Sequence, residues 1–408
     1  MTSNAISRPN RTYRLLVLVI LFMAGGGLDI KSLLHLSWPF SFVYLSLLFV
    51  MTARFIRINS HELSATLMSF VTMLIAYIMK GAHIEWWILT VVFQGYLVLA
   101  FYKNWPEKFA GDLSRLCQLY MYYTLVGITL QYLMGGGILS TGFYRYKHIF
   151  YLFYYTSGME FGSLRFTGLG GEPGIWQMFL ALNLLFALYE KRSKWQILLA
   201  FVAIIGVTST TGYFIMMFVV LFYFSVIEKK LKIAHVAGLA LIGFASFGIL
   251  YDDITRKLSN SSGLTRVSDI FIGLTYLCKS PLWGIDPAKL ENNTDNEFLA
   301  IKTAVAENSE ATLGDQNYFD SGLCSGLMIF LLDYGLIFAS YYLYKLFKFP
   351  LFRDRHIRTG VMVIILLTFM TEPYSRSGWF YFFLLASFIK FHWRFPESTK
   401  VKIRGKPG

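Results

Sequence analysis

The segment Ser163-Leu-Arg-Phe-Thr-Gly-Leu-Gly-Gly-Glu-Pro-Gly174 interrupts the apolar sequence of this chain with glycines and two opposite charges. Pro173 begins a new apolar stretch, and proline suits the first turn of a helix because it lacks an N–H that would have no partner there. Glu172 therefore falls at or beside the N-cap, where the helix dipole favours a carboxylate. The glycines allow the backbone to approach a ligand closely. We expect Arg165 and Glu172 to form part of a site at a membrane surface.

The composition is typical of a protein that crosses a membrane many times. Of the 408 residues, 55% are hydrophobic and only 15% are charged, and the mean hydropathy is +0.51. A soluble domain of this size does not need so much apolar sequence. Three scattered cysteines are too few for a disulfide framework. We therefore predict a polytopic protein embedded in a lipid bilayer.

Apolar stretches of about 17–25 residues mark candidate membrane spans. They predict an all-α bundle of about twelve transmembrane helices, in a single integral membrane domain over residues 1–408. The predicted spans are Tyr13–Leu28, Trp38–Met51, Leu63–Met79, Trp86–Phe101, Leu113–Met134, Ile175–Tyr189, Trp195–Val207, Tyr213–Val226, Ile233–Leu250, Ser321–Leu346, Gly360–Met370 and Trp379–Phe391.

The net charge of +13 follows the predicted topology. Lysine and arginine concentrate at the N-terminus, in the short loops on that same side and in the tail from Lys390 to Lys406. This is the positive-inside pattern, and it predicts that both termini are cytoplasmic. It also argues against nucleic acid as the partner that explains the charge.

Two long loops fall on the opposite side, at residues 135–173 and 251–320. Loops of this length are usually functional or disordered. In the second loop, apolar residues recur at helical spacing and predict an amphipathic helix at the interface or against the bundle. These residues are Val267, Ile270, Phe271, Leu274 and Leu277.

Further charged and polar residues lie in motifs on the same side as the two long loops. Those that we consider for substrate binding or catalysis, beside Arg165 and Glu172, are Thr210, Arg266, Asn317, Asp320 and Arg376. Several arginines and carboxylates facing one aqueous cavity suit an anionic substrate with a transferable group. The planar guanidinium of arginine stays charged and binds phosphate oxygens in bidentate fashion.

Structural roles also fit these residues. Arg165 can pair with Glu172, and Glu372 can pair with Arg376. Glu172 can act only as a helix cap, and Arg266 can be an ordinary loop charge. The sequence alone leaves these alternatives open.

Two other features have structural and functional interpretations. Ser209-Thr-Thr-Gly212 contains Thr210 and can simply end a helix through local hydrogen bonds. Asp333 lies within the tenth predicted span, where a charge is costly, so it is protonated, paired or functional. The chain has no P-loop, no Asp-x-Asp motif and no zinc-binding motif. We therefore expect no metal and no cofactor.

The order of these motifs resembles the O-antigen polymerase (Wzy) family and the related colanic-acid and capsule polymerases. The resemblance extends from about Arg165 to Phe391. The matching segments are Arg165–Pro173, Thr208–Gly212, Ser261–Arg266 with Pro281 and Gly284, Asp320–Leu323 and Thr371–Arg376.

This resemblance implies a GT-C-like glycosyltransferase of the bacterial inner membrane. Its substrates are oligosaccharide repeat units on undecaprenyl pyrophosphate, which it joins at the periplasmic face into O antigen or another exopolysaccharide. A flippase and a chain-length regulator are further partners of such enzymes.

The resemblance also implies roles for the candidate residues. Arg165 and Arg266 neutralise the pyrophosphate, Glu172 is the first candidate for the base and Asp320 is the second. Three others contact the substrate: Thr210, Asn317 and Arg376.

Two other classes of function stay open. The O-antigen ligases share this architecture but carry a histidine next to an asparagine in the second loop. This chain has no histidine between His235 and His356, and Gln316-Asn317 lacks the imidazole, which favours a polymerase. A transporter predicts broken helices, inverted repeats and several intramembrane charges. We find no repeat and only Asp333 deep in a span.

Overall fold

The computed structural model describes most of the chain and shows that the described part is mostly helical. The described residues are 9–24, 37–56, six positions between 64 and 78, 86–134, 139–140, 146–150, 152–157, 164–169, 173–229, 261–285, 296–307, 325–372 and 377–388. The predicted helical class is confirmed at this coarse level. A small β-sheet inside the first long loop was not predicted.

Twelve α-helices lie in the described ranges. In chain order they are α1 (Arg11–Ala24), α2 (Ser37–Thr52), α3 (Trp86–Tyr102), α4 (Pro106–Met134), α5 (Pro173–Tyr189), α6 (Lys194–Gly206), α7 (Thr210–Phe222), α8 (Ser261–Lys279), α9 (Asn296–Glu307), α10 (Gly326–Leu346), α11 (Arg355–Thr371) and α12 (Gly378–Phe388). A 3₁₀ turn, Ala53–Phe55, follows α2, and a π-helical turn, Tyr223–Ile227, follows α7.

Two helical segments are long and apolar enough to cross a membrane, Thr210–Ile227 and Gly326–Leu346. Five shorter apolar helices match further predicted spans. The predicted span Ile233–Leu250 lies outside the described residues, and Leu63–Met79 has only isolated described positions, which are helical. The full number of spans therefore stays a prediction.

Polar and apolar side chains are arranged as expected for a lipid-facing bundle. Large apolar side chains point outward on several helices, for example Phe42, Val50 and Phe214. Uncharged polar side chains such as Gln94 and Asn183 are buried between helices. In a soluble protein, a large exposed apolar surface and buried polar groups are the exceptions that indicate a special environment. This distribution favours a bilayer around the described helices.

Helix α5 lies at the centre of the bundle. All its residues from Pro173 to Leu188 are buried, except the half-buried Ile175. Its polar side chains face neighbouring helices, since Gln177 Nε2 donates to Ile204 O in α6 at 3.0 Å and Asn183 Nδ2 contacts Met121 Sδ in α4 at 3.1 Å. Helices α4, α6, α7 and α11 pack against it.

A buried ion pair joins two helix starts at the side that we predict to be cytoplasmic. Arg14 donates to both carboxylate oxygens of Asp112, at 2.6 and 3.1 Å, and Tyr102 donates to the same carboxylate at 3.2 Å. Arg14 and Asp112 are both buried. Arg14 is one of the N-terminal basic residues that predict the topology, and in the structure it also links α1 to α4.

Helix α10 is broken at Gly335, where φ is 67° and ψ is 168°. The ring centroids of Phe330 and Tyr342 lie 6.3 Å apart. In a straight helix, the rise of about 1.5 Å per residue would separate their backbones by about 18 Å. The helix therefore bends sharply, and its two halves are Gly326–Tyr334 and Leu336–Leu346.

The turn after α8 supplies the hydrogen bonds that the break removes. In an unbroken helix, the N–H of Leu336 would donate to the carbonyl of Leu332. Here Leu336 N donates to Pro281 O at 2.7 Å, and Ile285 N donates to Leu332 O at 2.8 Å. Gly284 has a φ of 75°, and a Cβ there would lie 1.8 Å from Leu332 O. The turn and the bend therefore depend on each other.

The first long loop contains a four-stranded antiparallel sheet in the order β1-β2-β3-β4. Its strands are Leu139–Ser140, Tyr146–Ile149, Phe153–Ser157 and Leu164–Phe166. Two contacts fix the sheet to α4: Tyr155 Oη donates to Gly127 O at 2.7 Å, and Gln131 Nε2 donates to Leu164 O at 2.8 Å. His148 is buried in β2, and this burial lowers its pKa.

We predict that Gly284→Ala destabilises the protein, because the new Cβ meets a backbone oxygen and the positive φ adds about 1–3 kcal/mol of strain. Gly111→Ala is the matched control, since a Cβ at this position in α4 meets nothing within 4 Å. Thermal unfolding of the purified proteins in lipid nanodiscs measures the difference. An unchanged midpoint for Gly284→Ala would contradict the account of the bend.

We predict that Asp112→Asn lowers the free energy of unfolding by about 3–5 kcal/mol, because it leaves the buried Arg14 without its counter-ion. Glu107→Gln, an exposed carboxylate on the same helix, is the control. The same nanodisc unfolding experiment compares the two. Equal midpoints for both variants would show that the buried pair is not important for stability.

Candidate functional site

Arg165 is positioned by strand β4. It pairs with Thr156 of β3, and its side chain is half-buried. The next residue, Phe166, is buried against Tyr155 and Trp176, with ring centroids 5.5 and 6.3 Å away. Because successive side chains of a strand point to opposite faces, Arg165 points away from this apolar contact.

The glycine-rich segment turns tightly over Trp176. Gly168 has a φ of 57°, and a Cβ there would lie 2.4 Å from the indole ring. Trp176 is held in turn by a 2.8 Å hydrogen bond from Nε1 to the hydroxyl of Thr124. The glycine-rich backbone does make the predicted close approach, and the group that it approaches is the buried ring of Trp176. Glu172 lies outside the described residues, but α5 begins at Pro173 as predicted.

An ion pair joins the second long loop to the end of α11. Arg266, in the first half of α8, lies 3.5 Å from the Oε1 atom of Glu372, the residue that follows α11. The same carboxylate lies against the first turn of α5, because a Cβ on Gly174 would be 2.1 Å from Oε1. Glu372 is only 12% exposed, whereas Arg266 is 44% exposed. The pair therefore has a nearly buried anion and an accessible cation.

The start of α10 packs at the same place. Ser325 N donates to the buried carboxylate of Asp269 in α8 at 2.9 Å, and its hydroxyl donates to Met370 O in α11 at 2.9 Å. A Cβ on Gly326 would lie 2.2 Å from Glu372 O. The predicted site residues Asn317 and Asp320 precede this point and lie outside the described residues.

Thr210 is the first residue of α7, so its segment connects α6 to α7. Thr208 has a φ of 53°, which marks the turn between the two helices. Gly212 lies against Gln177, one turn into α5, because a Cβ on Gly212 would overlap Gln177 Oε1 at 0.9 Å. This stretch therefore has a clear packing role beside the start of α5.

The structure brings together some of the predicted residues. Arg266 contacts Glu372, and both lie beside the first turn of the helix that follows Glu172. Arg376 lies outside the described residues, so its predicted alternative pairing with Glu372 is not tested. Sequence reasoning considered Glu372 only as a structural partner. Its position in the Thr371–Arg376 motif was the sequence signal that could have indicated a functional role for Glu372.

The amphipathic helix is confirmed as α8, and it packs against α10. Its apolar stripe faces outward, with Val267, Ile270, Phe271 and Leu274 exposed. Leu277 belongs instead to the buried side. An exposed apolar stripe beside Arg266 suits a ligand with an anionic head and an apolar tail.

Comparison with known proteins gave no relative, since no protein-family model, no curated protein and no solved structure matches this chain.

We predict that Gly168→Ala releases strand β4, because the new Cβ meets the Trp176 ring and the positive φ adds about 1–3 kcal/mol of strain. Trypsin should then cleave after Arg165 about tenfold faster, since the strand opens more often. Limited proteolysis followed by mass spectrometry measures this rate. Gly111→Ala should leave the rate unchanged, and equal rates for both variants would show that β4 does not depend on this turn.

Proposed function

We propose that this protein is a polysaccharide polymerase of the bacterial inner membrane. It joins oligosaccharide repeat units carried on undecaprenyl pyrophosphate at the periplasmic face. The contact between Arg266 and Glu372 carries this proposal. This contact joins two motifs of the polymerase resemblance that are distant in sequence, Ser261–Arg266 and Thr371–Arg376. It brings them to the start of α5, the helix that follows the third motif, Arg165–Pro173.

The chemistry of the cluster supports a substrate with a pyrophosphate group. Arg266 is accessible, and a guanidinium has five N–H donors, so several remain for phosphate oxygens beside the contact to Glu372. The outward apolar stripe of α8 adjoins this arginine and suits a polyprenyl chain. Arg165 supplies a second cation from strand β4.

The proposed reaction transfers a growing glycan to a new repeat unit. A hydroxyl oxygen at the non-reducing end of the new unit forms a bond to the anomeric carbon of the growing chain. The bond from that carbon to the pyrophosphate oxygen breaks, and undecaprenyl pyrophosphate leaves with the electron pair. The hydroxyl proton passes to a carboxylate, for which Glu172 is the first candidate and Asp320 the second. Arg165 and Arg266 stabilise the charge on the leaving pyrophosphate.

The distribution of apolar and basic residues supports the proposed location. Apolar side chains point outward on the described helices, and basic residues concentrate on the side of the two termini. We therefore place both termini in the cytoplasm and the Arg266–Glu372 contact at the periplasmic face. A flippase that delivers the repeat units and a chain-length regulator are the proposed partners.

A transporter is the second candidate, and the break in α10 beside the buried Asp333 favours it. In many transporters, unwound backbone groups of broken helices coordinate the substrate or ion. Here the carbonyl of Leu332 and the N–H of Leu336 are bonded to the turn after α8. These two groups are therefore engaged within the protein, which makes the polymerase the better explanation.

Glycan length in a deletion strain tests the proposal. The strain is complemented with the wild type, Arg165→Ala, Glu172→Gln or Arg266→Ala, and lipid-linked and surface glycans are separated on gels. We expect the deletion strain to hold single repeat units, and the variants to restore a ladder poorly or not at all. Immunoblots confirm that each variant is present in the membrane.

Lys279→Ala is the matched control for Arg266→Ala. Lys279 lies at the other end of α8, is similarly exposed at 48%, and forms an ion pair with Glu297. We expect this variant to restore a normal ladder. Long chains in the deletion strain would rule out polymerisation. Long chains that stay on the lipid carrier would support a ligase, and single units that stay on the cytoplasmic side would support a transporter.

A further inference from the structure

We infer that Glu372 is a positioning residue, which holds the guanidinium of Arg266 towards the pyrophosphate of a lipid-linked substrate. This inference rests on the proposed function and extends it to a residue that the sequence assigned no role in substrate binding. Its physical basis is the difference between the two partners, since the carboxylate is fixed and nearly buried whereas the guanidinium is accessible.

The backbone and the side chain of Glu372 are both held by the bundle. Its N–H donates to Thr368 O at 2.9 Å, so the last turn of α11 fixes its backbone. Its carbonyl lies against Gly326 at the start of α10, and its carboxylate lies against Gly174 at the start of α5. Three helices therefore determine where this negative charge is placed.

Arg266 has the opposite character. Its side chain is long and 44% exposed, and in the described part of the chain its ion-pair partner is Glu372. An exposed arginine has many rotamers, and binding must restrict them at a cost in entropy. An anchored carboxylate restricts these rotamers before the substrate arrives and leaves other N–H groups for phosphate oxygens.

Stability alone explains this pair poorly. Ion pairs with a partner this exposed contribute little to folding, because water and salt screen them. The two residues belong to two motifs of the polymerase resemblance and lie beside the helix that follows a third, and the apolar stripe of α8 begins at the next residue, Val267. The Glu372 carboxylate is already paired with the Arg266 guanidinium. Glu372 therefore complements the candidate bases Glu172 and Asp320 and does not replace them.

Binding of farnesyl pyrophosphate to the purified full-length protein in nanodiscs tests the inference. We expect Arg266→Ala to weaken binding at least tenfold and Glu372→Gln to weaken it about threefold to tenfold. The double variant should bind no more weakly than Arg266→Ala alone, because Glu372 acts through the arginine. Glu297→Gln, which removes the carboxylate of the exposed Lys279 pair, should leave binding unchanged.

A second variant moves the carboxylate without changing its charge. In Gly174→Ala, the new Cβ would lie 2.1 Å from Glu372 Oε1, so the side chain of Glu372 must shift. We expect the same loss of binding as for Glu372→Gln, with both thermal midpoints close to that of the wild type. A purely structural pair would instead lower the midpoints and leave the affinity of the folded protein unchanged.

Three outcomes would overturn the inference. Tighter binding by Glu372→Gln would show that the carboxylate competes with the substrate. Additive losses in the double variant would show that the two residues act independently. No binding of the probe by the wild type would remove the pyrophosphate site itself.

Failure of the inference can be told apart from failure of the proposed function. If glycan ladders require the protein but Glu372→Gln binds the probe normally, polymerisation stands and the positioning role fails. If the coupled losses in binding are observed but the deletion strain still makes long chains, the pyrophosphate site stands and polymerisation fails. A polymerisation assay with the lipid-linked unit adds a kinetic signature, since we expect Glu372→Gln to raise KM more than it lowers kcat.

Discussion

The burial of α5 on all sides is the constraint on which the rest of the bundle depends. Apolar side chains are stable against lipid as well as against protein, but the buried polar side chains of this helix, Gln177 and Asn183, need partners, and α6 and α4 contact them. The helices that surround it must begin or end near Pro173, where the buried helix starts. Glu372 at the end of α11 and Gly212 at the start of α7 reach this point for that reason. The location of the candidate site is thus a consequence of core packing.

A second constraint is the need of backbone groups for hydrogen-bond partners in an apolar environment. The bend at Gly335 removes one helical hydrogen bond. The turn Pro281–Ile285 supplies new partners for both the N–H and the carbonyl that had formed this bond. This exchange fixes the C-terminal end of α8 to α10. The middle of α8 is fixed by the Asp269 carboxylate, which accepts from Ser325 N. The helix that carries Arg266 is therefore anchored to α10 at its middle and at its C-terminal end.

Local rules made some of these features predictable and left others hidden. The start of α5 at Pro173 and the existence of α8 follow from capping and periodicity, which act within a few residues. The contact of Arg266 with Glu372 joins positions 106 residues apart, so no local pattern contains it. The break at Gly335 depends on bonds to a distant turn, and the sheet strands are too short to give a clear alternation. The predicted roles of Glu172, Asn317, Asp320 and Arg376 stay predictions, since these residues lie outside the described ranges.

The anchoring of α8 also limits how the second long loop can move. The turn after this helix is bonded to both halves of α10, on either side of the break at Gly335. Gly335 is also enclosed by that turn, since a Cβ there would lie 2.1 Å from Leu282 O. The break is therefore clamped on both sides and does not act as a free hinge between the two halves of α10. Any movement of α8 must carry both halves of α10 with it, and the apolar stripe of α8 keeps its position relative to them.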